Sequence, residues 1–494
     1  MTVQPLPVST PAAQGVDASG VHAFLDALEA APGIEPHSVM VLRHGHLVAS
    51  GWWAPYTAER PHLLYSLSKS FTATAAGIAV GEGLLRLDDP VISFFPEFEA
   101  DITDPRSRAM LVRHVASMSS GHLAETFDLA RETDRTELVR GFLLVPPDRD
   151  PGTVFAYNQP ATYTLAAIVQ RLTGQSLTDY LRPRLLDPLG IGEVAWQRDR
   201  HGRELGFSGL HAATDAIARL GQLYLRDGVW NGRRLLPEGW AADATRAHVA
   251  TADATAPDAR SDWQHGYGFQ FWRSRPGYGY RGDGAYGQFC LVLPEQDAVV
   301  ALTGATTEMQ EVLDLVWAHL LPAFASAPRT ARRGGEGQED GDAALAGRLA
   351  RLALPPVPGK PAPPERAEAW RDALFTPDGG VCADRPTLSA VGVTPEADGW
   401  RITLTEGGDR LVLRLGGDAG GGDGWSVAEQ PVPTALSGGW TDADTLVADV
   451  VFLETPHRLA VTCSLPEGTF TARWRTTPLD PRPLRVLGAP RNPA

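Results

Sequence analysis

Residues 62–85 read HLLYSLSKSFTATAAGIAVGEGLL, an extended approach followed by apolar residues at helical spacing. Ser66 stands at the predicted start of this helix, and Lys69 follows it three positions later. Residues three apart share a helical face, so the Lys69 amine can reach the Ser66 oxygen. The positive end of the helix dipole stabilises a developing alkoxide by roughly 0.3–1 kcal/mol. The segment therefore pairs a candidate nucleophile with a candidate base.

Lysine is rare in this chain, because arginine supplies nearly every positive charge and only two lysines occur among 494 residues. Unlike arginine, a lysine amine can lose its proton and accept one from a serine hydroxyl. Lys69 is therefore a candidate for proton transfer. The alternative is an N-cap serine followed by a solvated lysine, and Ser-x-x-Lys alone does not exclude it because the motif recurs by chance.

A second segment, residues 147–177, reads PDRDPGTVFAYNQPATYTLAAIVQRLTGQSL. It predicts a helix that opens at Pro160 and closes near Gly174. Tyr157 falls in the lead-in and not on the apolar stripe of that helix. Considered alone, Tyr157 is better explained as a half-buried loop aromatic.

A third segment, residues 277–304, reads GYGYRGDGAYGQFCLVLPEQDAVVALTG. It predicts two apolar strands, from about Gln288 to Leu293 and from Ala298 to Thr303, joined by a tight turn. The glycine-rich lead-in allows close approach to a substrate backbone, although a simple bulge explains it as well. Just before it, residues 267–272, YGFQFW, alternate in a way that predicts another strand with a buried face.

In this order the three segments resemble the beta-lactamase-related serine hydrolases, the group of class C beta-lactamases, DD-peptidases, D-aminopeptidases and carboxylesterases. The resemblance extends from about residue 15 to 325 and includes residues 37–53, HSVMVLRHGHLVASGWW. It implies that Ser66 is the nucleophile and Lys69 its first proton acceptor. Tyr157 then matches the tyrosine of the Tyr-x-Asn motif.

The resemblance also implies acyl transfer in two steps. Ser66 attacks a carbonyl after giving its proton to Lys69 or Tyr157, and the backbone N–H groups of Ser66 and Ala285 hold the oxyanion. Tyr157 protonates the leaving group and activates water, or relays protons for Lys69. To act as a base, Tyr157 needs a nearby cation that lowers its pKa, and Lys69 is the candidate.

Two departures from the family pattern concern substrate binding. Gln159 stands where the family usually has Asn, so an amide is kept on a longer side chain. Gly282, Asp283 and Gly284 replace the Lys-Thr-Gly or His-x-Gly motif that serves the substrate carboxylate in lactam-recognising members. We assign these four residues to substrate binding. An anionic Asp283 without a lysine disfavours beta-lactams and ordinary DD-peptides, since both carry a carboxylate.

Arg281 leaves this charge argument open. Strand alternation puts Arg281 and Asp283 on the same face, where the two charges can neutralise each other. If Arg281 turned into the site, its guanidinium could instead bind a substrate carboxylate.

The sequence thus predicts a serine hydrolase for a small ester or amide, closer to an esterase than to a beta-lactamase, with a neutral or cationic small-molecule substrate. One alternative is a D-amino-acid peptidase or amidase, in which Asp283 pairs with a substrate ammonium group. Another is a non-catalytic binding or regulatory relative with a decayed site. The retention of Ser66, Lys69 and Tyr157 favours the enzyme.

The amino-acid composition limits the kinds of partner and cell compartment that we expect for this protein. With 44 basic and 59 acidic residues the net charge is −15, which disfavours nucleic acid and anionic membranes as partners. The first residues lack a signal-peptide pattern, no apolar run is long enough to span a bilayer, and the three cysteines are scattered, so we expect a cytoplasmic protein. The histidine spacing does not match a zinc site, and we expect neither metal nor cofactor. The oligomeric state stays open.

The fold class that the resemblance implies is α/β, in stricter terms α+β, of the beta-lactamase/transpeptidase type. Helices flank an antiparallel sheet, and a mostly helical insertion spans about residues 90–205. We expect a hydrolase domain over residues 1–325, a Pro- and Gly-rich linker over 326–365, and a C-terminal all-β domain of six to eight strands over 366–494. The last domain could cap the site, dimerise or stabilise.

Overall fold

The computed structural model describes four ranges of the chain, namely residues 5–252, 261–324, 336–416 and 424–491. Eleven strands lie in the first two ranges: β1 Glu35–Arg43, β2 His46–Trp52, β3 His62–Leu63, β4 Ala195–Trp196, β5 Leu210–Ala212, β6 Val229–Trp230, β7 Arg233–Arg234, β8 Trp272–Arg273, β9 Tyr280–Gly284, β10 Gln288–Leu293 and β11 Ala298–Ala305. Six of them form the main antiparallel sheet in the order β2-β1-β11-β10-β9-β8. The predicted pair of strands is confirmed as β10 and β11.

Helices cover this sheet and fill the insertion. Those in the described ranges are α1 Ala18–Ala30, α2 Ser68–Gly81, α3 Pro105–Ala109, α4 Val112–Ala116, α5 Phe127–Thr133, α6 Leu138–Leu144, α7 Gln159–Thr173, α8 Leu177–Leu181, α9 Asp187–Leu189, α10 Thr214–Leu225, α11 Trp240–Thr245, α12 Met309–Leu315, α13 Leu321–Ala323, α14 Glu336–Leu349 and α15 Ala367–Trp370. Helices α3 to α9 lie in the predicted helical insertion. None of the described helices is long and apolar enough to cross a membrane.

Both faces of the main sheet are buried, because successive residues of each strand point to opposite sides. On β1, Val39 and Val41 join the apolar cluster built with α1 and α12. Met40 and Leu42 join the cluster on the other face, built with α2, α7 and α10. The sheet is therefore sandwiched between two helical layers, and helix α2, which carries Lys69, belongs to one of them.

The strand predicted at residues 267–272 is wrong except for its last residue, which begins β8. These residues are buried but irregular. Gln270 adopts a left-handed conformation with φ of 61°, and its side chain bonds to Thr162 and to backbone carbonyls of another segment. The alternation in sequence reflected burial, and in the described part of the chain pairing of residues 267–271 is limited to isolated bridges of Tyr267.

The C-terminal sheet contains nine strands, more than the predicted six to eight: β12 Ala373–Pro377, β13 Leu388–Glu396, β14 Gly399–Glu406, β15 Asp409–Leu415, β16 Ser426–Ala428, β17 Thr434–Trp440, β18 Thr445–Phe452, β19 Arg458–Ser464 and β20 Thr469–Trp474. Their order is β15-β14-β13-β12-β20-β19-β18-β17-β16, and β15 lies beside β16 and β17, so the sheet nearly closes into a barrel. The shortest of these strands, β16, has three residues, too few for a readable periodicity.

Part of the predicted linker packs against the first domain. Helix α14 lies beside α1, and Leu352 and Leu354 are buried in the apolar cluster of that face. The backbone of Ala54 donates to Leu352 and accepts from Leu354, at 3.0 and 2.8 Å. Helix α14 and residues 352–354 of the predicted linker therefore pack against the first domain. The domain boundaries stay predictions.

Candidate active site

Ser66 lies in a tight turn between β3 and α2. The 3₁₀ turn Tyr65–Leu67 leads directly into α2, which begins at Ser68, so Ser66 stands at the helix start as predicted. Tyr65 adopts a left-handed conformation with φ of 47°, which is unfavourable for a residue other than glycine. Ser66 itself is half-buried.

Lys69 is buried, with 1% of its surface exposed, and its amine contacts three oxygen atoms. Nζ lies 3.0 Å from Ser66 Oγ, 2.6 Å from Gln159 Oε1 and 2.8 Å from the carbonyl oxygen of Phe207. An ammonium group has three N–H donors, so the three acceptors satisfy it completely. The amide of Gln159, which is kept on a longer side chain than the Asn of the family pattern, therefore contacts Lys69.

Burial lowers the pKa of Lys69 to about 7, even though the negative charges of Glu125 and Asp283 act to raise it. At neutral pH a large fraction of the amine is therefore uncharged. The Gln159 and Phe207 oxygens can only accept hydrogen bonds, so they hold the two remaining N–H groups of the neutral amine. Its lone pair then faces the Ser66 hydroxyl, which is the geometry that proton transfer requires.

Tyr157 lies over the same amine. Its ring stacks on Trp272 at 5.6 Å between centroids, and Lys69 Nζ lies 4.8 Å from the Tyr157 ring centroid. Burial and, after it, the negative charge of Asp283 raise the pKa of Tyr157, although the neighbouring Ser66 hydroxyl acts to lower it. The expectation that Lys69 lowers this pKa is therefore wrong, and Tyr157 stays a neutral phenol near neutral pH.

Glu125 is a member of the site that the sequence analysis missed. It is exposed, and its Oε1 accepts hydrogen bonds from the backbone N–H groups of Gln159 and Phe127, at 3.0 and 3.2 Å. Its charge acts on Lys69 across the mouth of the site. No spacing in the sequence links Glu125 to the other residues, because its segment reaches them only through the fold.

The glycines of the third segment allow β9 to approach the turn Tyr65–Leu67, which contains the candidate nucleophile. A Cβ atom at Gly284 would lie 2.1 Å from the Leu64 carbonyl oxygen, and one at Gly282 would lie 2.5 Å from Ser70 Oγ. A larger residue at Gly284 would require a shift of the backbone, whereas one at Gly282 would require the Leu67 and Ser70 side chains to move. Close packing of β9 on this turn is thus observed, whereas substrate binding by Gly282 and Gly284 stays a prediction.

Asp283 and Arg281 neutralise each other. Arg281 Nε lies 3.2 Å from Asp283 Oδ2, and the indole N–H of Trp263 donates to the same oxygen at 3.0 Å. Burial raises the pKa of Asp283, and the Arg281 charge opposes that change. Arg281 is completely buried, so it does not offer a cation to an incoming carboxylate.

Ala285 follows β9 directly and is half-buried beside the nucleophile turn. The side-chain amide of Gln288 donates to the Ala285 carbonyl at 3.1 Å and to the Gly304 carbonyl at 2.8 Å. These bonds hold the β9–β10 connection in place. The structure thus brings together Ser66, Lys69, Tyr157 and Gln159, with the β9 segment packed against the turn.

Comparisons with known proteins agree with this arrangement. A model of the beta-lactamase family matches residues 21–323. Penicillin-binding protein 4 of Amycolatopsis lactamdurans is 31% identical over 272 residues, which cover 48% of this chain and 70% of that protein. The 6-aminohexanoate-dimer hydrolase of Paenarthrobacter ureafaciens is 26% identical over 278 residues, covering 53% and 70%.

Two further similar proteins are named as an esterase and as a hydrolase with acyltransferase activity. Esterase EstB of Burkholderia gladioli is 29% identical over 215 residues, covering 38% of this chain and 54% of that protein. Among solved structures, EstCE1, a hydrolase with promiscuous acyltransferase activity, superimposes with a TM-score of 0.50 at 19% identity, covering 61% and 99%. This last likeness shows the fold alone. Because the family match covers well over half of the chain and the fold agrees with it, the protein belongs to the beta-lactamase family.

Proposed function

We propose that the protein is a serine hydrolase that cleaves a small ester or amide bond through an acyl-enzyme on Ser66. One observation carries the proposal: a buried lysine with a pKa near 7 contacts the Ser66 hydroxyl at 3.0 Å, while two carbonyl oxygens hold its other N–H groups. A non-catalytic protein has no need for such an amine, since burying it costs stability.

In the proposed reaction the neutral Lys69 amine takes the Ser66 proton as the oxygen attacks the substrate carbonyl. The backbone N–H groups of Ser66 and Ala285 stabilise the oxyanion. Tyr157 retains its proton near neutral pH and in the proposal passes it to the leaving group, while the Lys69 ammonium replaces it. Water then hydrolyses the ester of Ser66 by the same route in reverse, which restores the starting proton positions.

The charges around the site disfavour a carboxylate substrate. The guanidinium of Arg281 is buried against Asp283, and Glu125 adds a negative charge beside Lys69. We therefore propose a neutral or cationic substrate rather than a beta-lactam. The relatives named as esterases and as a 6-aminohexanoate-dimer hydrolase support ester and linear amide bonds as the two candidates.

A second candidate function is hydrolysis of amides that carry an ammonium group. Glu125 favours it, because this exposed carboxylate uses one oxygen for backbone N–H groups and is close enough for its charge to act on Lys69. Asp283, which the sequence analysis considered for this role, is buried and its charge is paired with that of Arg281.

The first experiment compares p-nitrophenyl butyrate hydrolysis by the protein and by Ser66→Ala under the same conditions. Turnover that disappears with Ser66 supports the acyl-enzyme. Equal turnover in both would mean that Ser66 is not the nucleophile, and no turnover in either would favour a narrow amide specificity or the decayed-site alternative.

The second experiment separates the two substrate classes. Glu125→Gln is assayed with 6-aminohexanoyl p-nitroanilide and with its neutral N-acetyl derivative, and Glu132→Gln on α5 is the matched surface control. An ammonium site at Glu125 predicts about a tenfold higher KM for the cationic anilide only, equivalent to about 1.4 kcal/mol. An unchanged ratio of the two KM values would contradict that site.

A cytoplasmic location is also part of the proposal. The cysteines Cys290, Cys382 and Cys463 are buried and unpaired, as expected of a reducing compartment. Fractionation of the native host would test it, and recovery outside the cytoplasm would contradict it.

A further inference from the structure

The C-terminal domain contacts the first domain immediately beside the nucleophile. The Tyr65 hydroxyl, one residue before Ser66, lies 2.7 Å from Nε2 of His457. The Tyr286 hydroxyl, one residue after Ala285, donates to the carbonyl oxygen of Thr477. Both residues assigned to the oxyanion hole therefore have a neighbour in the chain that is tethered to the C-terminal domain.

These two tyrosines share an unusual backbone conformation. Tyr65 has φ of 47° and Tyr286 has φ of 66°, in the left-handed region that residues other than glycine rarely occupy. Such conformations persist when surrounding contacts hold them. Tyr65 supplies the carbonyl half of the peptide that carries the Ser66 N–H. Tyr286 turns the chain from β9 into β10 directly after Ala285, so both tyrosines bear on where the oxyanion donors point.

The bond between Tyr65 and His457 has a fixed direction. Nδ1 of His457 lies 2.8 Å from the Thr476 carbonyl oxygen, which can only accept, so Nδ1 carries the ring proton. Nε2 is then the acceptor for the Tyr65 hydroxyl. Burial lowers the pKa of His457 to about 3, so the ring stays neutral in this tautomer near neutral pH. The Leu479 N–H donates to the Tyr65 oxygen at 3.4 Å and adds to the arrangement.

Ring packing links the three side chains into one cluster. Tyr65 and Tyr286 meet edge to face at 5.6 Å between centroids, and His457 lies 5.9 Å from Tyr65 and 5.7 Å from Tyr286, both edge-on. A further backbone bond, from the Leu63 N–H to the Glu454 carbonyl at 2.8 Å, joins the domains just upstream of the turn. The nucleophile turn, the β9–β10 connection and the C-terminal domain thus form one packed unit.

We infer that the C-terminal domain is part of the catalytic apparatus, because His457 and Thr477 position Tyr65 and Tyr286 and thereby align the two N–H groups of the oxyanion hole. The inference rests on the proposed function, since it takes the oxyanion hole from that proposal. Tyr65, Tyr286 and His457 are positioning residues, and none of them needs to touch the substrate.

The test removes single hydroxyl groups. Tyr65→Phe and Tyr286→Phe keep the rings and lose only the bonds to the C-terminal domain. Tyr56→Phe is the matched control, because the Tyr56 hydroxyl also bonds across the domains, to the Thr455 carbonyl at 3.3 Å, but Tyr56 is not next to a site residue. We expect kcat for p-nitrophenyl butyrate to fall at least about tenfold in the first two variants with KM within about twofold, and both constants to stay unchanged in the control.

Two variants at His457 separate positioning from general stability. Gln offers an oxygen to Tyr65 and an N–H to Thr476, whereas Leu offers neither. We expect His457→Gln to retain most of kcat and His457→Leu to lose it about as much as Tyr65→Phe. Equal loss in both His457 variants, or equal loss in Tyr56→Phe and Tyr65→Phe, would overturn the inference in favour of a merely structural contact.

Amide hydrogen exchange of residues 62–68 and 282–288 provides a readout that does not depend on turnover. Faster exchange in Tyr65→Phe and Tyr286→Phe than in Tyr56→Phe is expected, and equal exchange would overturn the inference even if the protein proved inactive. Ser66→Ala tells the two failures apart. If the wild type shows Ser66-dependent turnover while the tyrosine variants match it, only the positioning role fails.

Discussion

The pH dependence of the Ser66 reaction tests the role of Lys69 directly. The amine is a base only when uncharged, and burial lowers the pKa of Lys69 from 10.5 to about 7. The shift corresponds to about 5 kcal/mol against the ammonium form. At neutral pH about half of the Lys69 amines are then uncharged, compared with about one in 3,000 for a lysine of ordinary pKa.

These fractions predict the shape of the rate profile. Because Lys69 is uncharged above its pKa, kcat/KM for p-nitrophenyl butyrate should reach a plateau above about pH 8 and fall tenfold per pH unit on the acid side, to about one hundredth at pH 5. The assay is the initial rate at fixed ionic strength, corrected for spontaneous ester hydrolysis. A profile still rising tenfold per unit at about pH 9.5 would refute the lowered pKa.

A substitution at the strongest contact of the amine supplies a second check. Gln159→Glu places a carboxylate where Oε1 now lies, 2.6 Å from Lys69 Nζ. An adjacent anion favours the ammonium form, so the acid limb should move up by about 1–3 pH units. The control is Gln175→Glu, an exposed position outside the site, which should leave the profile unchanged. An identical pH–rate profile in both variants would show that Lys69 does not control the acid side of the profile.

Three further perturbations test other contacts. Gly284→Ala forces a Cβ atom against a backbone oxygen, so it should lower the free energy of unfolding in urea by about 1–3 kcal/mol and abolish turnover. The exposed control Gly192→Ala should lower it by less than about 0.5 kcal/mol. Equal losses in the two variants would contradict this prediction. Asp283→Asn should leave the kcat/KM ratio of cationic to neutral anilides unchanged, because Arg281 and Trp263 already bind the Asp283 carboxylate. A lost preference for the cationic anilide would contradict this prediction. His211 and His457 are buried and uncharged in the folded protein, so the unfolded state binds protons first as the pH falls. The unfolding free energy should therefore fall between about pH 6.5 and pH 3, by about 1.4 kcal/mol per pH unit for each such histidine. Urea unfolding of His457→Gln should show a smaller slope, and an undiminished slope would contradict the prediction.

Several local features could be predicted from the sequence because they depend on short-range geometry. The three-residue spacing of Ser66 and Lys69 becomes a 3.0 Å contact since neighbouring turns of one helix face fix it. Helix α7 ends at Thr173, followed by left-handed Gly174, as the proline and glycine signals indicated. Strand alternation likewise placed Arg281 beside Asp283.

Other expectations failed where burial and backbone conformation competed with periodicity. The run YGFQFW alternates like a strand, yet left-handed Gln270 breaks it, because its buried amide bonds to another segment. The pKa of Tyr157 rises although a lysine lies over its ring, since burial and the negative charge of Asp283 raise it. Neither outcome can be read from neighbouring residues, because desolvation depends on the whole fold.

By itself, the sequence determined the residue types and spacings of the reactive group, the helices and strands that carry it, and the family to which they belong. Only the tertiary structure decided the surroundings of that group. The Phe207 carbonyl reaches Lys69 across 138 positions, and His457 reaches Tyr65 across 392. Contacts over such separations arise from packing of distant segments, and so do the burial of Lys69 and its lowered pKa, on which the proposed roles of Ser66 and Lys69 depend.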